Sequence, residues 1–160
     1  MVRAAAQSLY RSAAYELMPR YFTRDQAERV LPKVERIIRE ALFLKAEFQE
    51  ADESLRSTTR DIMMRGGMMM DRDKVLKIRE RRDSSAAKLN AALEAVHDEG
   101  CQVKDLDIGL LDFPTLYQGQ EVLLCWRLGE SRIEFWHGVE EGFRGRKPID
   151  EDFLKEHQGD

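Results

Sequence analysis

The chain has 160 residues and a formal net charge of −4, with 35% charged and 42% hydrophobic residues. This composition is typical of one globular domain with a charged surface. The excess of negative charge argues against a general nucleic-acid binder, which must neutralise phosphates. No stretch approaches the roughly 18 consecutive apolar residues of a membrane span, and two cysteines are too few for a disulfide framework. The sequence therefore predicts a cytoplasmic protein with reduced thiols.

The first twenty residues form a basic N-terminal extension, in which Arg3, Arg11 and Arg20 are balanced only by Glu16. Such a segment weakly resembles a transit peptide. The interpretation that we favour is a loosely docked N-terminal helix. The folded domain is predicted to begin after it, at residue 21.

A helix is predicted to begin at about Arg24. Thr23 can accept a hydrogen bond from the first turn and Gln26 can reach back, which is the pattern of a capping box. Pro32 should kink or break this helix, because it lacks an N–H and its ring clashes with the preceding turn. A long helix should follow over about 33–63, since its apolar residues recur at steps of three and four. These residues are Val34, Ile37, Ile38, Ala41, Leu42, Phe48, Ala51, Leu55 and Ile62.

Another long helix is predicted over about 72–99, capped by Asp71 after the helix-ending pair Gly66-Gly67. Its stripe consists of Val75, Ile78, Arg82, Ala86, Leu89, Ala92, Leu93 and Val96. Two long helices with a short connection form an antiparallel hairpin, with arms of roughly 40 Å at about 1.5 Å per residue. Because such arms exceed a small sheet, we expect a homodimer in which a second copy covers the rest of the stripe.

After Gly100 the apolar period changes to two, which predicts strands. Pro114 should end the second of them, and Gly129-Glu130 should form the turn between the last two. The predicted strands span about 102–106, 109–113, 121–128 and 132–137.

The predicted fold is α+β. A long antiparallel helical hairpin over about 24–99, including the short N-terminal helix, packs on a three- or four-stranded antiparallel β-meander over about 101–137. This single domain spans residues 21–148, and a polar C-terminal tail follows over 149–160.

The turn determines which side chains share a sheet face. A two-residue loop at Gly129-Glu130 places Cys125 opposite Glu134 and directs His137 to the other face. On this register Cys125 and His137 cannot share a metal, although a β-bulge would reverse the parity. A zinc site also needs about four N or S ligands, and the chain has only two cysteines and three histidines.

The end of the sheet is the candidate ligand site. The run Gly142–Pro148 combines glycines with three cations, which can surround a phosphate or carboxylate. His137 could act there as a general acid or base, or as an ordinary buried histidine. The candidate residues are Arg127, Arg132, Glu134, Trp136, His137, Arg144 and Arg146.

Metal binding is a further alternative. Asp105, Asp107 and Asp112 lie close together around a turn and could hold Mg²⁺ or Ca²⁺, but turn aspartates more often cap backbone N–H groups. We therefore predict no cofactor. If a metal does bind, the candidates are Asp105, Asp107, Asp112, Cys125 and His137.

Methionines crowd the hairpin tip, at Met63, Met64 and Met68–Met70. Thioethers can bind Cu(I), but we favour an adaptable contact surface for a protein partner at Met68–Met70. The basic residues that follow over 72–82 alternate with acids, which indicates a solvated, ion-paired helix face rather than a nucleic-acid site.

Two regions carry a resemblance to a known family. They are YFTRDQAERVLPKV at 21–34 and a C-terminal block that contains GLLDFP at 109–114, LCWRLGE at 124–130, FWH at 135–137 and GFRGR at 142–146. With these motifs the chain resembles a bacterial family known as a domain of unknown function, over roughly 21–148. The resemblance implies a stand-alone cytoplasmic protein without an assigned activity, and it supplies no catalytic residues.

Three functions follow from these observations. The leading hypothesis is a non-enzymatic interaction or structural protein that self-associates through its helical hairpin. The first alternative is a small anion- or nucleotide-binding protein, with or without catalytic activity, that uses the end of the sheet. The second is a metal-binding protein. Whether the chain is an enzyme stays open.

Overall fold

The computed structural model describes residues 20–66 and 71–160. Nearly all of the predicted N-terminal extension, and the Met68–Met70 tip, therefore lie outside the described residues.

The first helix, α1 (Arg24–Met64), begins as predicted. Thr23 Oγ1 accepts a hydrogen bond from the backbone N–H of Gln26, and Gln26 Oε1 accepts one from that of Thr23, at 3.2 and 2.7 Å. The helix is 41 residues long and runs through Pro32 without a break. The prediction of a separate short N-terminal helix was therefore wrong. Pro32 is exposed, where water can satisfy the carbonyl that its ring leaves without an N–H partner.

The second helix, α2 (Arg72–Asp98), is capped by Asp71, whose Oδ1 accepts a hydrogen bond from the Lys74 N–H at 3.1 Å. It runs antiparallel to α1, as two ion pairs between the helices show. Lys33 of α1 pairs with Glu99 at the end of α2, and Glu50 pairs with Arg81 at 2.8 Å. The predicted antiparallel helical hairpin is therefore confirmed.

The strands form one antiparallel sheet of six strands, in the order β1-β2-β3-β4-β5 with β6 paired to β2. The α+β class is confirmed, but the sheet is larger than the three or four strands predicted, because two short strands arise from the segments expected to be loop and tail. The strands are β1 (Gln102–Asp105), β2 (Leu110–Tyr117), β3 (Gln120–Arg127), β4 (Phe135–Gly138), β5 (Lys147–Pro148) and β6 (His157–Gln158).

Pro114 does not end its strand, contrary to the prediction. It lies inside β2 opposite Leu123, between the residues of β2 that pair with β1 and those that pair with β6. Its carbonyl accepts a hydrogen bond from the Phe22 N–H at 2.8 Å. The N–H that proline lacks would point toward this same gap, so no ladder bond is lost.

The core lies between α1 and one face of the sheet. The buried helix residues recur at helical spacing, and the buried strand residues alternate, as each geometry requires. From α1 they are Ala27, Leu31, Val34, Ile38 and Ala41, and from the sheet they are Leu111, Phe113, Val122, Leu124 and Trp126.

The C-terminal residues belong to this fold, so the predicted polar tail was wrong. A short helix, α3 (Glu151–Glu156), buries Phe153, whose ring stacks on Trp136 with centroids 4.9 Å apart. The Asp160 N–H then donates to the carbonyl of Tyr21 at 3.0 Å. Across the described ranges, none of the helices combines the length and apolarity that a bilayer crossing requires.

Candidate functional site

The connection between β3 and β4 determines the composition of the second sheet face. It spans residues 128–134 rather than two, and β3 pairs with β4 so that Cys125 lies opposite Phe135 and Leu123 opposite His137. The predicted register, with Cys125 opposite Glu134, was wrong by one residue. A shift of one reverses the parity, so Cys125 and His137 share a face.

Loop contacts explain the shift. Trp126 Nε1 donates to the Glu130 carbonyl at 2.8 Å, and the Arg127 N–H donates to the Glu130 carboxylate at 2.9 Å. The Ile133 N–H donates to Glu28 of α1 at 3.2 Å, and its side chain is buried. Residues 130–133 therefore bond within the loop and to α1 instead of extending the strand ladder.

Three buried polar side chains from three strands meet on this face. Asp112 of β2 lies directly opposite Cys125 of β3, and His137 of β4 lies diagonally next to Cys125. Their exposed fractions are 1%, 0% and 2%. Their imidazole nitrogen, thiol sulfur and carboxylate oxygen lie within 4.8 Å of one another, so one cluster offers nitrogen, sulfur and oxygen donors.

The hydrogen bonds of His137 determine its tautomer. Nδ1 lies 2.8 Å from the Gly138 carbonyl oxygen, which can only accept, so Nδ1 carries a proton and donates. Nε2 faces the carboxylate and lies 3.2 Å from each Asp112 oxygen. Asp112 Oδ2 is buried without a hydrogen-bond partner, and its nearest cation, Lys104 Nζ, is 4.0 Å away.

The Cys125 thiol is held in its neutral form. Burial, followed by the nearby Asp112 carboxylate, raises the pKa of Cys125 to about 12. The Arg146 guanidinium opposes this rise only in part, so the sulfur stays protonated and is a poor nucleophile, because reactivity requires the thiolate. The cluster is therefore not an activated cysteine site.

Arg146 joins strand β3 to the loop that follows it. Its guanidinium donates to the Glu130 carboxylate at 2.7 and 2.9 Å and to the Cys125 carbonyl at 3.3 Å, and it lies 4.1 Å from the centre of the Phe135 ring. Partial burial opposes ionisation of Glu130, but hydrogen bonds from Arg146 and the Arg127 N–H outweigh it and lower the pKa of that carboxyl.

Several residues predicted for the anion site have other partners in the structure. Arg132 pairs with Glu28 at 3.3 Å, and Arg146 is paired as described. Trp136 points to the opposite face from His137, because neighbouring strand residues alternate. Its ring lies beside Phe153 and 4.8 Å from Lys147 Nζ. Glu134, Arg127 and Arg144 are exposed around the rim.

The three clustered aspartates are also separated. Asp105 Oδ1 accepts a hydrogen bond from the Asp107 N–H at 2.9 Å, and Asp107 forms an ion pair with Lys45. These two residues have the turn-capping and surface roles that are common for aspartate. Of the three aspartates, only Asp112 lies in the buried cluster with Cys125 and His137. The spacing of the aspartates along the sequence did not indicate this difference.

The distal half of the hairpin is the second notable surface. Among the described residues from Asp52 to Ser84, none has a buried side chain. Several large apolar side chains are well exposed on the hairpin. They are Phe43 at 63%, Met63 at 77%, Met64 at 80% and Leu76 at 50%. Phe43 and Leu76 lie outside the predicted apolar stripe, because both point away from the helix–helix seam.

The fold and this cluster define an α+β protein with a projecting helical hairpin and a buried group of nitrogen, oxygen and sulfur donors. The chain belongs to DUF2203, a family described as an uncharacterized conserved protein, whose model matches residues 20–149. The family resemblance found in the sequence is thereby confirmed. No curated protein and no solved structure matches the chain.

Proposed function

We propose that this is a non-enzymatic cytoplasmic interaction protein that self-associates through its helical hairpin. One observation carries the proposal: the hairpin from Asp52 to Ser84 places no described side chain in the protein's own core. A helical arm of this length is maintained by packing rather than by helix propensity, so an arm without a core needs a partner.

The seam of the arm supports a second copy as that partner. Leu55 and Ile62 of α1 and Val75 and Ile78 of α2 are only half-buried, because two helices alone cover each other on one side. Two such hairpins packed together form a four-helix bundle, in which the apolar stripes are covered from both sides.

The charges of the hairpin are also self-complementary. On α1, Glu40, Glu47 and Glu50 surround the exposed Phe43 at helical spacing, and Asp52 and Glu53 follow. At the start of α2, near Leu76, cations outnumber acids. The cations are Arg72, Lys74, Lys77, Arg79, Arg81 and Arg82, and the acids are Asp73, Glu80 and Asp83. Arg81 and Arg82 pair with Glu47, Glu50 and Asp52 within the chain, so the attraction between two copies rests on the other members of these groups. Glu40 and Glu53 on α1 and Arg72, Lys74, Lys77 and Arg79 on α2 are such residues.

Light scattering on wild type and two matched variants tests this function. Leu76→Glu introduces a charge on the hairpin, and Val139→Glu introduces one on the sheet side of the molecule. Both residues are 50% exposed, so neither change should disturb the fold. We expect the wild type to be a dimer. Leu76→Glu should raise the dimer Kd at least about ten-fold, as a charge placed in an interface does. Val139→Glu should leave the dimer intact.

A monomeric wild type at tens of micromolar would contradict self-association. A dimer that tolerates Leu76→Glu, while circular dichroism shows an unchanged fold, would instead contradict the hairpin as the surface of self-association.

A further inference from the structure

We propose that Asp112, Cys125 and His137 form a binding site for one divalent transition-metal ion of the zinc type. The site is independent of the hairpin and lies on the other side of the sheet from α1. Each ligand comes from a different strand, and the strand pairing places the three next to one another.

The distances suit such an ion. Zinc binds nitrogen, oxygen and sulfur at about 2.0–2.3 Å, so neighbouring ligand atoms in a tetrahedral sphere are roughly 3.3–3.7 Å apart. His137 Nε2 and the Asp112 oxygens are already 3.2 Å apart. The third ligand, Cys125, lies within 4.8 Å of the other two, a separation that closes by a shift of roughly 1 Å.

His137 has the orientation of a metal ligand. Its Nδ1–H donates to the Gly138 carbonyl at 2.8 Å, so in the neutral imidazole the Nε2 lone pair points at the carboxylate. A ligating histidine typically donates its other N–H to a carbonyl or carboxylate in this way. Two acceptors that face each other at this distance need a proton or a cation between them.

Asp112 gives the second, independent observation. Its carboxylate is 1% exposed, and Oδ2 has no hydrogen-bond partner. A buried carboxylate oxygen without a hydrogen bond is costly, and Lys104 at 4.0 Å is too far to donate one to Oδ2. A metal ion between the three side chains would satisfy this oxygen directly.

The charges balance only with a divalent ion. Metal binding would displace the proton of the Cys125 thiol. One carboxylate, one thiolate and one neutral imidazole then carry two negative charges, so a dication makes the buried centre neutral. The donor set also selects the class of metal. Calcium and magnesium prefer oxygen ligands alone, whereas mixed nitrogen, sulfur and oxygen sets suit zinc and its neighbours. Three protein ligands leave one tetrahedral position, which a water can fill.

Cobalt(II) substitution tests the site in the full chain, purified without a histidine tag and freed of metal. We expect one Co²⁺ per chain, with the thiolate-to-cobalt charge-transfer absorption and the intense visible bands of tetrahedral cobalt. Cys125→Ser should abolish the charge-transfer absorption. Cys101→Ser is the matched control, because Cys101 is equally buried but donates to the Val96 carbonyl elsewhere in the core; it should keep the absorption.

Asp112→Asn keeps the size of the side chain while removing its charge, and it should weaken cobalt binding at least ten-fold. Circular dichroism of each variant shows that the fold persists. The proposal fails if wild type gives no thiolate–cobalt absorption, or if Cys125→Ser retains it. The cluster would then be a carboxylate and an imidazole that share a proton. These spectra are read per chain, so they do not depend on self-association.

Discussion

At the scale of single residues, a few buried or half-buried carboxylates hold distant parts of the chain together. Glu130 organises the loop between β3 and β4, and Glu28 ties that loop to α1 through Arg132 and Ile133. The contacts of Glu28 bridge residues that are 104 and 105 positions apart in the sequence, whereas Glu130 acts within its own loop. Together these contacts therefore decide the strand register and, with it, which side chains join the buried cluster.

Replacing Glu28 by Gln tests this link. Burial opposes ionisation of Glu28, but hydrogen bonds from Arg132 and the Ile133 N–H outweigh it and lower the pKa below its ordinary value of 4.5. A carboxyl whose pKa is lowered on folding stabilises the protein at pH values above its ordinary pKa. That contribution is lost as the pH falls through the folded-state value.

We therefore expect Glu28→Gln to cost about 1 kcal/mol of unfolding free energy at neutral pH. The difference from wild type should shrink as the pH falls below 4.5. Urea unfolding at several pH values measures it, with the exposed Glu140→Gln as the control. A difference that stays constant down to acid pH would show that the ionised carboxylate is not the cause.

At the scale of elements, the C-terminal segment acts as a clamp. The ring of Phe153 in α3 lies against Tyr117 and Trp136 of the sheet, and the next residues pair with β2. His157 Nε2 accepts a hydrogen bond from the Arg24 N–H at the start of α1, at 2.9 Å. One short segment thus joins the sheet to the beginning of the longest helix.

Removal of the Phe153 ring should therefore lower the stability of the fold. We expect Phe153→Ala to lower the unfolding free energy by about 3–5 kcal/mol, because a 1%-exposed aromatic side chain leaves a large cavity. The neighbouring Leu154 is 40% exposed, and its change to Ala should cost about 0.5 kcal/mol or less. Denaturant unfolding of both variants compares the two losses of unfolding free energy. A loss for Phe153→Ala as small as that expected for Leu154→Ala would mean that the segment is a dispensable tail.

At the scale of the whole molecule, the two candidate surfaces lie in different parts of the fold. The hairpin presents exposed apolar groups and complementary charges, whereas the donor cluster is enclosed in the sheet. The proposed assembly and the proposed metal site can therefore be tested separately, and a variant in one should leave the other unchanged.

Salt should weaken the proposed self-association. The Debye length falls from about 10 Å at 0.1 M salt to about 3 Å at 1 M, which screens attraction between the acidic part of α1 and the basic part of α2. We expect the dimer Kd to rise several-fold across this range, measured by sedimentation equilibrium. A Kd that falls with salt would indicate a purely apolar interface and contradict the proposed charge pairing.

Local signals predicted much of the fold. The capping residues Thr23 and Asp71 and the helical spacing of the apolar residues gave the starts and the packing of both long helices. The change to a period of two gave the four main strands and the α+β class. Each of these signals works because it depends on hydrogen bonds or side-chain positions within a few residues.

The sequence by itself thus determined the hairpin, the sheet class and the family resemblance. Only the tertiary structure decided the register of β4, the continuity of α1 through Pro32 and the place of Phe153 in the core. The helix continues through Pro32 because that residue faces water. The register of β4 and the place of Phe153 depend on contacts between residues far apart in the chain, such as Ile133 with Glu28, which no local pattern encodes. For the same reason Asp112, Cys125 and His137 became one cluster only when the strands were paired.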